Sequence, residues 1–132
     1  MPNPAHIVPF AKHVGIDIRT LEKERVIGTL TVRSEICNIA SGPNASIHGG
    51  AIMTFADVLG AFGAYQNLPE GCEASTTSES KTNFLSHAPI GTVLTGEATP
   101  LKIGKRLSVW QTRITRDDDT LVAVVTQSQI YL

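Results

Sequence analysis

Between Glu35 and Glu70 the chain carries a single Asp, Glu, Lys or Arg, and that residue, Asp57, falls in the middle of its most apolar segment. Across residues 49–66, Ile52, Phe55, Leu59 and Phe62 recur at spacings of three and four, the period of a helix. The opposite face holds Ala51, Thr54, Val58, Ala61 and Tyr65, so it is hardly more polar. A helix that is apolar nearly all round has to be covered nearly all round. Gly60, Gly63 and the alanines lower helix propensity but let neighbouring backbone come close. Leu68-Pro69-Glu70-Gly71 ends the segment.

The rest of the chain supplies the cover. Residues 2–9 hold Pro2, Pro4 and Pro9 and read as an irregular lead-in, followed by a helical turn over Phe10–Val14 that stops at Gly15. Ile16 and Ile18, then Val26, Gly28, Leu30 and Val32, alternate with polar residues, which predicts two strands turning near Glu22–Glu24. Ser41-Gly42-Pro43-Asn44 is a loop. Beyond the helix, Ala74–Leu85, Thr92–Ile103, Leu107–Thr115 and Leu121–Leu132 read as strands, with turns at Gly104-Lys105 and Arg116–Thr120. In the last of these, Val122, Val124, Thr126, Ser128 and Ile130 share one side. Ser78, Ser80 and Thr82 share a polar face that is either a wet pocket or an interface. The order ββ, helix, ββββ defines an α+β fold. One long central helix is wrapped by an antiparallel sheet of about six strands, in a single domain over residues 1–132.

Composition narrows the function. Eleven basic residues against twelve acidic ones give a net charge of -1, with no electrostatic footprint for nucleic acid. Cys37 and Cys72 form no CxxC, which points to reduced thiols in a cytoplasmic protein. The N-terminal residues lack the basic and apolar regions of a secretory signal, and no apolar run is long enough to span a membrane. His6, His13 and His87 show no metal spacing, and Asp117-Asp118-Asp119 lacks the pattern of a calcium loop and reads as a polar turn. No metal and no cofactor is expected.

Asp57 therefore carries the chemical question. An unpaired buried carboxylate costs several kcal/mol or is forced toward its neutral form. Two readings stay open: a structural carboxylate paired across a subunit boundary, or a base or nucleophile tuned by its surroundings. Ile47-His48-Gly49-Gly50 stands at the predicted start of the same helix. Free N–H groups and partial positive charge gather there, and Gly49 lets an oxygen come close to its N–H. A plain tight turn is the alternative reading of the glycine pair. Eight residues of helix put Gly49 about 12 Å from Asp57, so a site using both is expected to be shared between two chains. Open sheet edges point the same way, to a homo-oligomer, either a dimer or a dimer of dimers.

The run His48-Gly49-Gly50-Ala51-Ile52-Met53-Thr54-Phe55-Ala56-Asp57 resembles the HGG-x6-D segment of hotdog-fold acyl-CoA thioesterases, the phenylacetate-pathway (PaaI-like) group in particular. Lys81–Ser86 with Pro89 and Gly91, Gly104–Val109, and Leu121-Val122-Ala123 are similar to later segments of that family. The resemblance spans residues 35–132. It implies hydrolysis of an acyl-CoA to acid and CoA. Asp57 is then nucleophile or general base, Gly49 N–H the donor to the thioester carbonyl, and His48 the shaper of the loop or also a contact to the acyl carbonyl, with Gly50 beside the substrate. The family often places Asn six residues before the His; Gly42 stands there, and Asn44 lies four before it. Ser86 matches a position where some members use a hydroxyl to place water.

Lys105 and Arg106 are either contacts for CoA phosphates or a solvated turn. Phe62, Tyr65 and Phe84 either line an acyl pocket or belong to the core. Two competing functions remain: a hotdog hydratase or dehydratase, which needs an imidazole base, and a non-catalytic module that binds CoA esters.

Overall fold

The computed structural model describes residues 3–132. Six strands, β1 (Asp17–Glu22), β2 (Arg25–Thr31), β3 (Ser75–Phe84), β4 (Val93–Ile103), β5 (Leu107–Thr115) and β6 (Leu121–Tyr131), form one sheet in the order β1-β2-β4-β5-β6-β3. Every neighbouring pair is antiparallel. The helix α2 (Gly49–Tyr65) packs on one face of this sheet, in the hotdog arrangement that the family resemblance implies. A short helix α1 (Pro9–Val14) precedes β1 and ends at Gly15, whose φ of 99° is left-handed. Glycine holds that conformation without the steric cost other residues meet.

The seat of α2 is cut from glycines on both partners. Gly28 on β2 and Gly96 on β4 stand opposite each other in register. A methyl group on either would fall within 2.8 Å of Leu59, and both also face the Phe55 ring. Toward β5 and β6 the relation reverses, and the helix supplies the gaps. A methyl on Gly63 would fall 2.6 Å from the Trp110 ring, and one on Gly60 would run into the Gln127 amide. The approach that Gly60 and Gly63 permit is thus by side chains of the sheet rather than by backbone.

The structure adds to or changes the sequence reading at four points. First, α2 is not covered on every side by its own chain. Ala51, Ile52, Phe55, Ala56, Val58, Leu59, Gly60, Gly63 and Ala64 are buried, but a stripe through Met53, Thr54, Asp57, Ala61, Phe62 and Tyr65 is half-buried or exposed. Second, the lead-in is ordered from Asn3 onward, with a 3-10 turn over Pro4–Ile7. The Asn3 side chain pins it to β1, accepting from Ala5 N–H and Ile18 N–H and donating to the Ile16 carbonyl. Pro2 lies outside the described residues. Third, the apolar side of β6 faces outward from Val124 on, and the core side carries Ala123, Val125, Gln127, Gln129 and Tyr131. Val122, at the start of that strand, is itself buried. Fourth, a bulge between Thr77 and Glu79 shifts β3 by one residue, so Thr77 rather than Ser78 joins Ser80 and Thr82 on the face toward α2.

No described helix is long and apolar enough to cross a membrane. Arg116 and Asp118 close the β5–β6 turn as a bidentate ion pair, and Asp118 also accepts from Thr120 N–H. The guanidinium beside Asp118 holds its carboxyl far below the usual carboxylate range.

Trp110 is fully buried, and its indole N–H is committed to Ser108 Oγ at 3.0 Å, so it has little room to yield. Gly63→Ala is therefore expected to lower stability. Overpacking costs about 1–3 kcal/mol and outweighs the gain of up to ~1 kcal/mol in helix propensity. Urea denaturation measures the net loss, and a variant as stable as the parent would show that Trp110 shifts freely.

Candidate active site

Asp57 sits on the stripe of α2 that the sheet leaves open, facing the edge strand β3. Among the described residues it is the only charged one lining a cleft of about 360 Å³ whose other walls are Val8, Phe10, Ala11, Met53, Thr54, Val58 and Ser80. The lead-in and α1 supply three of these residues, so the short N-terminal segment forms part of the wall. The Thr77 hydroxyl donates to Asp57 Oδ1 at 2.5 Å. Behind Thr77 lies the fully buried Gln129, whose Nε2 donates to Thr77 Oγ1 at 2.7 Å. Gln127 Nε2 reaches the Asp57 backbone carbonyl at 3.4 Å. Asp57 Oδ2 has no hydrogen-bond partner among the described residues.

The start of α2 is organised separately. His48 is the N-cap: its backbone is extended, and its Nδ1 accepts from Gly50 N–H at 2.8 Å. Ala51 and Ile52 N–H groups both donate to the His48 carbonyl. Of the four N–H groups that a helix N-terminus leaves without intrahelical partners, only that of Gly49 has no acceptor among the described residues. The Phe84 ring lies against Gly49, where a methyl would come within 3.1–3.2 Å of it. The loop before the cap is tied by His48 N–H to the Ile36 carbonyl and by Asn38, whose Oδ1 accepts from Ser46 N–H and Ile39 N–H.

Other residues singled out in the sequence fall elsewhere. Asn44 is exposed in its loop and makes no side-chain hydrogen bond; the asparagine that organises this loop is Asn38. Ser86 follows the end of β3, held by its backbone N–H to the Val122 carbonyl, and its hydroxyl does not reach Asp57. Lys105 and Arg106 are exposed on the β4–β5 turn. That turn lies toward the C-terminal end of α2, where Leu107 pairs with Ile130 and the Tyr131 hydroxyl donates to the Ala64 carbonyl. Phe62 and Tyr65 line a second apolar cleft with Ile7, Val8, Ala61 and Ser75. Because α2 is unbroken from Gly49 to Tyr65, Gly49 and Asp57 stay about 12 Å apart along its axis, and one chain does not bring them to one atom. Cys37 and Cys72 are free thiols; burial first, and Glu35 second, push the Cys37 thiol up, away from the reactive thiolate.

Thr77 and Gln129 were not visible in the sequence as site residues. The alternation of β3 puts Ser78 on the shared face, and only the bulge brings Thr77 there instead. Gln129 lies on the side of β6 opposite Val124 and Ile130, and its burial is decided by packing alone.

Comparison with known proteins places this arrangement. The thioesterase superfamily profile matches residues 44–123, more than half of the chain. A 1,4-dihydroxy-2-naphthoyl-CoA hydrolase of Listeria monocytogenes is 29% identical over 111 residues, covering 84% of this chain and 85% of its own. A 1,4-dihydroxy-2-naphthoyl-CoA thioesterase of Arabidopsis thaliana is 27% identical over 103 residues; the match covers 78% of this chain but 62% of that longer one. Among solved structures, the Escherichia coli PaaI protein from the phenylacetic acid degradation operon superimposes with a TM-score of 0.82 at 26% identity, covering 94% of this chain and 84% of that one. A Streptococcus mutans protein solved with acetyl CoA bound shares the fold, with a TM-score of 0.79, 22% identity and 89% of each chain covered. With the family profile spanning the loop before α2, the whole helix and most of the sheet, the chain belongs to the thioesterase superfamily, in the hotdog fold of the PaaI-like proteins.

Proposed function

We propose that this protein hydrolyses acyl-CoA thioesters to free acid and CoA, with Asp57 as nucleophile or general base and Gly49 N–H as the oxyanion donor. The observation that carries the reading is the state of Asp57: one carboxylate in an otherwise uncharged cleft, anchored through Oδ1 by Thr77, with Oδ2 unengaged. Family membership and the CoA-ester hydrolases among the relatives support the reaction class. As general base, Asp57 takes a proton from a water whose oxygen bonds to the thioester carbonyl carbon. Negative charge then grows on the carbonyl oxygen, where a preorganised N–H is most effective. The C–S bond breaks, the acid forms, and the CoA thiolate leaves and takes up a proton. As nucleophile, Asp57 bonds to the carbonyl carbon itself, the C–S bond breaks and the CoA thiolate leaves, and water then hydrolyses the resulting mixed anhydride to the acid and free Asp57.

The active site is read as shared between two copies. Gly49 N–H of one chain lacks an acceptor, Asp57 lies two turns further on, and β3 is a ten-residue edge strand beside it. Pairing β3 across a two-fold axis covers both the edge and the open stripe of α2. Leu107 and Ile130, paired on the outer sheet face and exposed, offer a second apolar surface for a dimer of dimers. Lys105 and Arg106, exposed and in no ion pair among the described residues, suit CoA phosphates; Gly50 borders the substrate beside Gly49. Asn44 and Ser86 keep only a role that requires the second chain. The hydratase alternative needs an imidazole as base, whereas the imidazole beside Gly49, that of His48, already spends its Nδ1 in accepting from Gly50 N–H. The free thiols fit a cytoplasmic setting, and the single core supports one domain over residues 1–132.

Asp57→Asn is expected to lower kcat by ~10²–10⁴-fold with the fold kept, because the amide preserves shape but neither takes a proton nor attacks. Release of free CoA across aryl- and alkyl-CoA substrates measures this, and parental kcat in the variant would reassign the base. For His48, the cap predicts that His48→Ala loses about 0.5–2 kcal/mol and that His48→Asn recovers most of it. Activity that follows stability across the two variants marks His48 as a shaper of the loop. Activity absent from both despite recovered stability marks a contact to the acyl carbonyl.

Sharing of the site is tested by mixing. Gly49→Pro removes the N–H at the first helical position, which tolerates proline; the exposed Phe84 ring must shift to admit it. Exchanged with Asp57→Asn, it yields about half mixed dimers, each with one intact site, and recovers roughly a quarter of parental activity. Light scattering first establishes that both variants are oligomers. Exchanging subunits without recovered activity would place both groups in one chain's site.

A further inference from the structure

We propose that Gln129 is a positioning residue for Asp57, acting through Thr77 by dictating where the Thr77 proton points. The proposal rests on the reading of Asp57 as base or nucleophile.

An ionised carboxylate only accepts hydrogen bonds, so the 2.5 Å contact between Thr77 Oγ1 and Asp57 Oδ1 is made by the Thr77 proton. A hydroxyl has one proton, and once it is given to Asp57 any other partner of Thr77 must be a donor. Gln129 meets that condition with Nε2 at 2.7 Å. The other half of its amide, Oε1, faces Ser75 Oγ at 3.5 Å, a group able to donate. All three contacts therefore run one way, from Ser75 to Gln129, from Gln129 to Thr77 and from Thr77 to Asp57. Bonds aligned in this sense polarise one another.

The surroundings leave the amide no other use. Gln129 is fully buried, opposite Thr77 on β3 and Ser108 on β5 in register. Ser108 Oγ is already engaged by the Trp110 indole N–H and the Tyr131 hydroxyl. An apolar side chain of like volume would fill the same space without the cost of desolvating an amide. With Gln129 in place, the Thr77 proton is held on Oδ1 and Oδ2 is left for the substrate. Without it, the Thr77 hydroxyl is free to turn, and the carboxylate loses its fixed rotamer while its charge and the cleft walls stay.

The test is a double-mutant cycle on the purified full chain, reading kcat and KM for the CoA ester that the parent hydrolyses best. Gln129→Met is expected to lower kcat by about 10- to 100-fold, the scale of a displaced reacting group, with KM changed by less than roughly two-fold. Thr77→Val is expected to lower kcat at least as far, and the double variant no further than Thr77→Val alone, because Gln129 acts only through Thr77. Unchanged kcat in Gln129→Met, or losses that multiply in the double variant, would overturn the proposal. Should Gln129→Met fail to fold, Gln129→Glu keeps the shape. Burial favours its neutral form, which still donates to Thr77. As pH rises and the carboxyl ionises, it accepts instead and draws the Thr77 proton from Asp57. The kcat of this variant is therefore expected to fall with rising pH where the parent's does not, and a pH profile matching the parent's would overturn the proposal there too. A parent chain that releases CoA from no aryl or alkyl ester would instead take down the thioesterase reading, and this positioning role with it. That result is distinct from an active parent whose variants are uncoupled.

Discussion

The helix and the sheet interlock through missing side chains. Leu59 and Phe55 enter a gap that Gly28 and Gly96 leave in β2 and β4, while Trp110 and Gln127 enter gaps that Gly63 and Gly60 leave in α2. Interiors are packed tightly enough that such gaps admit one arrangement and not its neighbours. A rotation of α2 by one residue, about 100°, would drive Leu59 into a strand that has no room for it. The glycines thus set the height and rotation of the helix. Asp57, two residues and some 200° around from Leu59, is thereby turned away from the seat and toward β3.

The core beneath α2 differs on its two flanks. Under β2 and β4 it is aliphatic, with Val26, Leu30, Leu94 and Ala98. Under β5 and β6 it carries Ser108, Thr112, Gln127 and Gln129, all essentially inaccessible to water. Thr112 Oγ1 and Gln127 Oε1 find no partner among the described residues, but the bonds that the other groups make lead toward the candidate site. Gln129 serves Thr77, Gln127 serves the Asp57 carbonyl, and the Tyr131 hydroxyl serves the carbonyl of Ala64. The polar flank faces the edge strand that bears Thr77. Fold and site therefore meet on β6, the one strand that touches both β5 and β3.

The site has two ends that the single chain holds apart. At the start of α2, His48 and its carbonyl satisfy the N–H groups of Gly50, Ala51 and Ile52 and leave that of Gly49. Further along, Thr77 holds one oxygen of Asp57 and leaves the other. A straight helix cannot fold its own middle back onto its first turn. In the function proposed above, a second copy across the open stripe of α2 and the free edge of β3 joins these unspent groups.

Much of this was legible in the residues. A 3.6-residue period over 49–66, with a period of two on either side of it, determines one helix and a sheet of six strands, because each element must bury its own periodic face. The isolation of Asp57 and the His48-Gly49-Gly50 run were legible for the same local reason, since charge and glycine stand out against an apolar segment. Residues such as Thr77, Gln129 and Asn38 were not, because their importance depends on what lies across a strand or a loop. The bulge after Thr77 shifts which side of β3 faces the helix, and no residue type there announces it. Nor does the alternation of β6 say which side is the core: Val124 and Ile130 point outward while two glutamines point in. A strand's alternation says that two faces differ, and only the packed partner decides which of them is the inside.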